Sequence, residues 1–148
     1  MNAIQRMKLK RQMAIHGDLF YQKAKELGQA AANALGGRRR AQMTGLENVA
    51  NSAMKVSDVW NYVKTRTARS DANKDWRKNN FGKDLLDFLE NKLKTDHQRP
   101  VCQALNFAED SLEAQQVYLY LIGIFVHQVV VQYEYEVKLG EIKEGEKL

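Results

Sequence analysis

The sequence predicts an all-α fold, a single-domain bundle of about four to six helices around a long apolar helix near the C-terminal end. The first observation is one long apolar run, Val117 to Val126, extended by the valines at positions 129, 130 and 131. The second is a set of apolar stripes at helical spacing along the rest of the chain. A helix that is apolar on nearly every side must be enclosed by others. The 148 residues, 44% of them hydrophobic, fit one compact domain.

The apolar run belongs to a predicted central helix over residues 110–139. Valine, isoleucine, tyrosine and phenylalanine also favour strands, so a strand is the competing interpretation. The length of the segment and its boundaries decide for a helix. Asp110 and Glu113 resemble a capping box, and Gly140 is a natural stop. We expect these side chains near the centre of the bundle: Leu119, Ile122, Val126 and Val130.

The N-terminal segment predicts a helix that reaches Leu35. Its apolar stripe is formed by Met13, Phe20, Ala24, Leu27, Ala31 and Leu35. Continued backwards, the stripe would pass through Arg6 and Lys10. Residues 1–11 are therefore expected to form a basic extension of the first helix.

Gly36 and Gly37 predict a break, followed by a solvent-exposed cationic loop at Arg38, Arg39 and Arg40. Thr44 and Glu47 match a capping box, so a second helix is expected from Thr44 to near Ser70. Its buried stripe runs through Leu46, Val49, Ala50, Ala53, Trp60 and Val63. Its opposite face carries Lys55, Asp58, Tyr62, Arg66 and Arg69.

A third helix is predicted from Phe81 to about Lys94, with a short helix possible before it. Residues 95–99 are expected to be a polar connection, and Pro100 suits the first turn of a further helix. That helix either joins the central one with a kink near Asp110 or is separated from it by a break. The helical domain is expected to cover residues 1–139, and residues 140–148 to be a disordered tail.

Charge is distributed unevenly along the chain. The net charge is +7 over residues 1–40, +3 over residues 41–100 and −5 over residues 101–148. This polarity indicates an anionic partner at the N-terminal side or a basic neighbour for the acidic end. Two solvated surfaces of opposite sign are the alternative explanation.

Basic side chains that could neutralise RNA phosphates are the predicted functional residues. The candidate set is Arg6, Lys8, Lys10, Arg11, Arg38, Arg39, Arg40, Tyr62, Arg66 and Arg69. Tyr62 is the preferred stacking residue, Trp76 is a second if exposed, and Trp60 falls on the buried stripe. No RNA-recognition, KH or zinc-finger signature is present, so binding is expected to follow backbone and shape.

Catalysis, metal and cofactors are not expected. His16, His97 and His127 are far apart and lack metal-ligand spacing. His127 is expected to be a hydrogen-bonded core residue, and Cys102 an inert packing residue. The lone cysteine and the polar N-terminus indicate a cytoplasmic protein. The apolar run, at 15 residues, is short of the ~20 that a membrane span needs, so no membrane partner is expected.

The segment from Arg11 to His16 resembles the Arg-x4-6-His motif of HEPN-type helical ribonucleases. In that family the two residues meet across a dimer. The resemblance implies an RNA-cleaving role for Arg11 and His16, which we retain as an alternative to the non-enzymatic interpretation.

The middle of the chain resembles the small helical subunits of type III-B CRISPR effector complexes, the Cmr type. The similarity is one of size, helix order and charge over most of the chain, without a diagnostic motif. It includes the middle stretch MTGLENVANSAMKVSDVWNYVKTRTARS, followed by FGKDLLDFLENKL. It implies a non-enzymatic subunit of an antiviral ribonucleoprotein that contacts RNA and larger subunits. The family's Asn-Gly-Leu stretch is replaced here by Thr44-Gly45-Leu46. A helical scaffold that docks an acidic protein is the remaining alternative.

Overall fold

The computed structural model describes residues 1–147, and this part of the chain is all-α, without a strand. The helices are α1 (Ala3–Leu19), α2 (Tyr21–Leu35), α3 (Arg40–Ser52), α4 (Val56–Arg69), α5 (Phe81–Asp87), α6 (Arg99–Leu105) and α7 (Leu112–Lys147). Two π-helical turns, Phe88–Lys92 and Lys94–Gln98, connect α5 to α6. Short 3-10 turns lie at Gly37–Arg39 and Asp75–Asn80. The predicted fold class is confirmed.

The long apolar helix α7 is the centre of the bundle, as expected, but both of its ends differ from the prediction. The Ser111 hydroxyl, not Asp110, accepts a hydrogen bond from the Ala114 amide at 3.1 Å and caps the first turn. At the other end α7 continues through Gly140 to Lys147, since one glycine costs a helix only about 1 kcal/mol. The expected disordered tail is therefore helical over residues 140–147, and Leu148 lies outside the described residues.

Side chains of α7 fill the core. Ile122, Val126 and Val130 are buried as predicted, whereas Leu119 is only half-buried. By length and composition α7 could also cross a membrane, since an 18-residue window has a mean hydropathy of 1.4. Half of that window is buried by the rest of the chain.

The first predicted helix is divided at Phe20, where ψ of 3° ends α1 before α2 begins. Phe20 is buried at this bend, so the break turns α2 along the core. Residues 3–11 form the first part of α1, with Asn2 as its N-cap. Within them Leu9 is buried, while Ile4 and Met7 are exposed.

Helix α2 lies very close to α7 at Gly28. A Cβ atom at this position would come within 2.5 Å of Gln132 Cβ and 2.7 Å of the Val129 carbonyl oxygen. Only a residue without a side chain allows this approach. Farther along, the Tyr133 hydroxyl donates to the Gly36 carbonyl and fixes the end of α2 against α7.

The helix predicted from Thr44 to Ser70 is two helices. The capping-box interpretation of Thr44 is wrong, because α3 begins at Arg40 and the Thr44 hydroxyl donates back to the Arg40 carbonyl. Ala53 is extended, with ψ of 134°, and separates α3 from α4. The predicted end near Ser70 is confirmed.

The polar connection predicted over residues 95–99 is wrong, because helical turns run without a gap from α5 to α6. The two π-helical turns alter the hydrogen-bond pattern there. The Tyr118 hydroxyl donates to the Leu89 carbonyl at 2.6 Å, which ties the first π turn to α7. Asn106, in the left-handed conformation at φ 59°, ends α6. A break therefore separates α6 from α7.

Candidate nucleic-acid interface

The ten predicted RNA-contacting residues lie in three places: on α1, in the arginine triplet after α2, and on α4. The triplet is the least available to RNA, because its arginines already bind carboxylates. Arg38, Arg39 and Arg40 follow α2 in a 3-10 turn and the first residue of α3, not in a flexible loop. Arg38 binds Asp75 at 2.8 Å, and Arg39 contacts the same carboxylate at 3.4 Å. These ion pairs hold the turn against the segment before α5.

Arg40 is paired with the acidic end of α7. Its Nε lies 3.0 Å from Glu134 and its Nη2 lies 3.4 Å from Glu141. The basic triplet therefore neutralises carboxylates of its own chain. Exposed pairs of this kind contribute about 0–1 kcal/mol each, so their main effect is on charge.

Tyr62, Arg66 and Arg69 do come together, on the outer face of α4. They line a shallow depression of about 370 Å³ with Asn61, Thr65, Val49 and Asp58. Within the described part of the chain, neither arginine forms an ion pair. This depression combines two arginines and one carboxylate with amide and hydroxyl groups. Its cations outnumber its carboxylate, and arginine, amide and hydroxyl groups are the ones that contact phosphate.

Tyr62 is less accessible than predicted. Its hydroxyl donates to the Gln42 carbonyl at 2.5 Å, and the Arg66 guanidinium lies 5.3 Å from the ring centroid. The ring therefore positions Arg66 by a cation–π contact. A base that stacks on this face of Tyr62 would displace that guanidinium.

Neither tryptophan is an open stacking surface. Trp76 is 1% exposed, and its indole N–H donates to Gln42 Oε1 at 2.8 Å. A stacking role for Trp76 required an exposed ring, and this condition is not met, because the ring packs between Tyr62 and Phe81. Trp60 is half-buried and meets Tyr118 edge to face.

The remaining cations lie on two faces of α1. Arg6 and Lys10, four residues apart, face a groove, and the Arg6 side chain donates to the Met1 carbonyl. Lys8 and Arg11, three residues apart, are exposed on another face. All four are free of ion pairs with the described residues.

A buried histidine pair is the feature that the sequence did not reveal. His16 Nδ1 and His97 Nδ1 are 2.8 Å apart, so one ring donates a proton and the other accepts it. Burial lowers the pKa of both rings, the charge of His16 lowers the pKa of His97 further, and Asp96 opposes that shift. His16 lies on the predicted stripe between Met13 and Phe20, which could have indicated its burial.

The HEPN-like pair is not assembled within this chain. His16 is buried against His97, whereas Arg11, five residues earlier, is exposed on the opposite side of α1. The prediction for His127 is wrong, because it is exposed and its Nδ1 lies 3.0 Å from Glu47. Cys102 is buried, and burial and Glu109 raise the pKa of its thiol.

No protein-family model matches the chain, and no curated protein or solved structure is significantly similar to it. In the described residues no three His, Cys, Asp or Glu side chains are grouped as metal ligands.

Proposed function

We propose that this chain is a non-enzymatic helical subunit of a ribonucleoprotein that holds RNA phosphates on the outer face of α4. The observation that supports this most directly is the pair Arg66 and Arg69. Both line one depression, which Asp58 also lines, and neither forms an ion pair with a carboxylate of the described chain. Asn61 and Thr65 add uncharged groups able to contact phosphate or ribose.

The three groups of cations have different roles in this proposal. Arg38, Arg39 and Arg40 stabilise the turn between α2 and α3, while Lys8 and Arg11 add long-range attraction for an anionic polymer. Binding should be independent of base sequence, because guanidinium–phosphate contacts carry no sequence information.

The specific form of the proposal is a small subunit of a type III-B CRISPR effector complex, acting in antiviral defence with larger subunits. It rests on the similarity of size, helix order and charge over most of the chain, including residues 43–70 and 81–93. A cytoplasmic location belongs to the same proposal.

Fluorescence anisotropy with a labelled 20-nucleotide single-stranded RNA at low salt tests the binding surface. Arg66→Ala/Arg69→Ala should weaken binding by about tenfold or more, since removing a guanidinium from a phosphate removes electrostatic free energy of binding. Lys23→Ala/Lys143→Ala is the matched control, because it removes the same charge from α2 and α7 and should change affinity little.

Two results would contradict the proposal. One is wild-type protein that fails to bind RNA at low salt, and the other is an equal loss of affinity in the control variant. The same RNA should remain intact on prolonged incubation. Cleavage that disappears in His16→Ala would instead support the ribonuclease alternative.

A further inference from the structure

A second surface, away from the α4 depression, is an open apolar groove along α7. Its inner part, of about 800 Å³, lies between the end of α3 and α1, and its outer part, of about 500 Å³, follows the beginning of α1. Met13, Gln116 and Tyr120 line both parts, so the groove is continuous. From Gln116 to Gln128 its floor is about 18 Å long, which is roughly three turns of a helix.

The groove has the chemistry of a protein-docking surface. Its floor contains Leu119, Gly123 and Ile124, and its rim carries Met54, which is 90% exposed, and Tyr120, which is 51% exposed. Methionines at positions 1, 13 and 54 line the walls, and their flexible side chains adapt to a partner.

Charge on the groove has one sign. Arg6 and Lys10 line the outer part, and no carboxylate among the described residues lines either part. The occupant that complements this surface is apolar on one side and acidic along its edge.

We propose that the groove binds an acidic amphipathic helix of a partner protein, which completes the bundle between α1 and α3. Its apolar face, at spacings of three and four residues, covers Leu119, Tyr120 and Ile124. Its carboxylates meet Arg6 and Lys10. The proposal is independent of RNA binding at Arg66 and Arg69, since the two surfaces share no residue.

The five methionines of the chain provide a direct test, because three line the groove and two do not. The probe is a synthetic 14-residue helix with leucines on one face and glutamates on its flanks, added to protein labelled with ¹³C at the methionine methyl groups. The signals of Met1, Met13 and Met54 should shift on titration. Those of Met7, exposed outside the groove, and Met43, in the core, should not.

Charge-reversal variants of α1 distinguish peptide binding in the groove from general electrostatic attraction to the protein. Arg6→Glu/Lys10→Glu should weaken peptide binding by about tenfold or more. Lys8→Glu/Arg11→Glu changes net charge equally on another face of α1 and should have a much smaller effect. Met54→Glu, at a nearly fully exposed position, should also weaken binding without disturbing the fold.

Several outcomes would overturn the inference. They are no binding above that of a scrambled peptide, equal losses in the two α1 variants, or shifts at Met7 rather than at Met13 and Met54. A groove occupied by a second copy of this chain would appear as a dimer in sedimentation that Met54→Glu dissociates. If RNA occupied the groove instead, the wild type would not bind the peptide. It would bind oligouridylate, and Arg6→Glu/Lys10→Glu would abolish that binding.

Discussion

His16 and His97 place two titratable rings in the core around a single hydrogen bond. One proton can be shared between the facing Nδ1 atoms, but a second would set two N–H groups against each other. Phe20 and Phe88 surround His97 and offer no polar partner for added charge. The pair therefore joins α1 to the second π turn only while it stays largely neutral.

The histidine pair should make stability depend on pH. Burial lowers the pKa of both rings below 6.5, so the unfolded chain binds protons first as the pH falls. The contribution of the pair to the free energy of unfolding is fully present above about pH 6.5. It declines as the pH falls from there toward the folded-state pKa values. Urea denaturation at pH 7.5 and 5.5 measures the loss.

The variant His16→Asn/His97→Asn should show a smaller difference in unfolding free energy between these two pH values than the wild type. His127→Gln, at the exposed histidine, should keep the wild-type difference. An unchanged pH dependence in the double variant would show that other groups cause it.

At the scale of elements, the contact of α2 with α7 is set by Gly28. We expect Gly28→Ala to destabilise the protein by about 1–3 kcal/mol, because its Cβ would overlap Gln132 and a backbone carbonyl of α7. Gly123→Ala is the matched control on α7, where the nearest atom would be 3.6 Å away.

The control should be neutral or more stable by up to about 1 kcal/mol, the helix preference of alanine over glycine. Thermal or urea denaturation of both variants decides between these outcomes. Equal stability of Gly28→Ala and the wild type would show that α2 and α7 are not packed this closely.

The sequence was sufficient to predict which segments are helical, but not where several of the helices begin and end. The stripe through Ala24, Leu27 and Ala31 correctly predicts the buried face of α2. The break at Phe20 and the π turns after α5 depend on tertiary contacts, such as the hydroxyl of Tyr118 on the Leu89 carbonyl. Thr44 matched a capping box, yet the helix starts four residues earlier, because a local motif cannot exclude an earlier start.

The candidate site was predictable only in part. Spacing along one helix places Tyr62, Arg66 and Arg69 on one face, and they do share a depression. The partner of Arg38 is 37 residues away in sequence, and the partners of Arg40 are at least 94 residues away. No pattern in the neighbouring sequence could therefore have predicted these ion pairs. The same holds for the histidine pair, whose members are 81 residues apart.

At the scale of the whole molecule, the uneven charge of the sequence is partly cancelled by folding. At the acidic end of α7, Arg40 pairs with Glu134 and Glu141, so part of the negative charge there is neutralised. Lys64 of α4 pairs with Glu90. Arg66 and Arg69 of α4 and the cations at the beginning of α1 form no ion pair within the described residues. An anionic partner should therefore be attracted to these two regions, which are separate surfaces with separate chemistry.

The salt dependence of RNA binding tests the central claim most directly. Log affinity should fall linearly with log salt, and each phosphate that is no longer neutralised should lower the slope by about 0.7 for single strands. Arg66→Ala/Arg69→Ala should therefore reduce the slope by roughly 1.4 units, with an unchanged circular dichroism spectrum. Arg38→Ala/Arg39→Ala/Arg40→Ala should change it much less, although it removes more charge, because these arginines already bind carboxylates. A larger change in the triple variant than in the α4 variant would contradict the account.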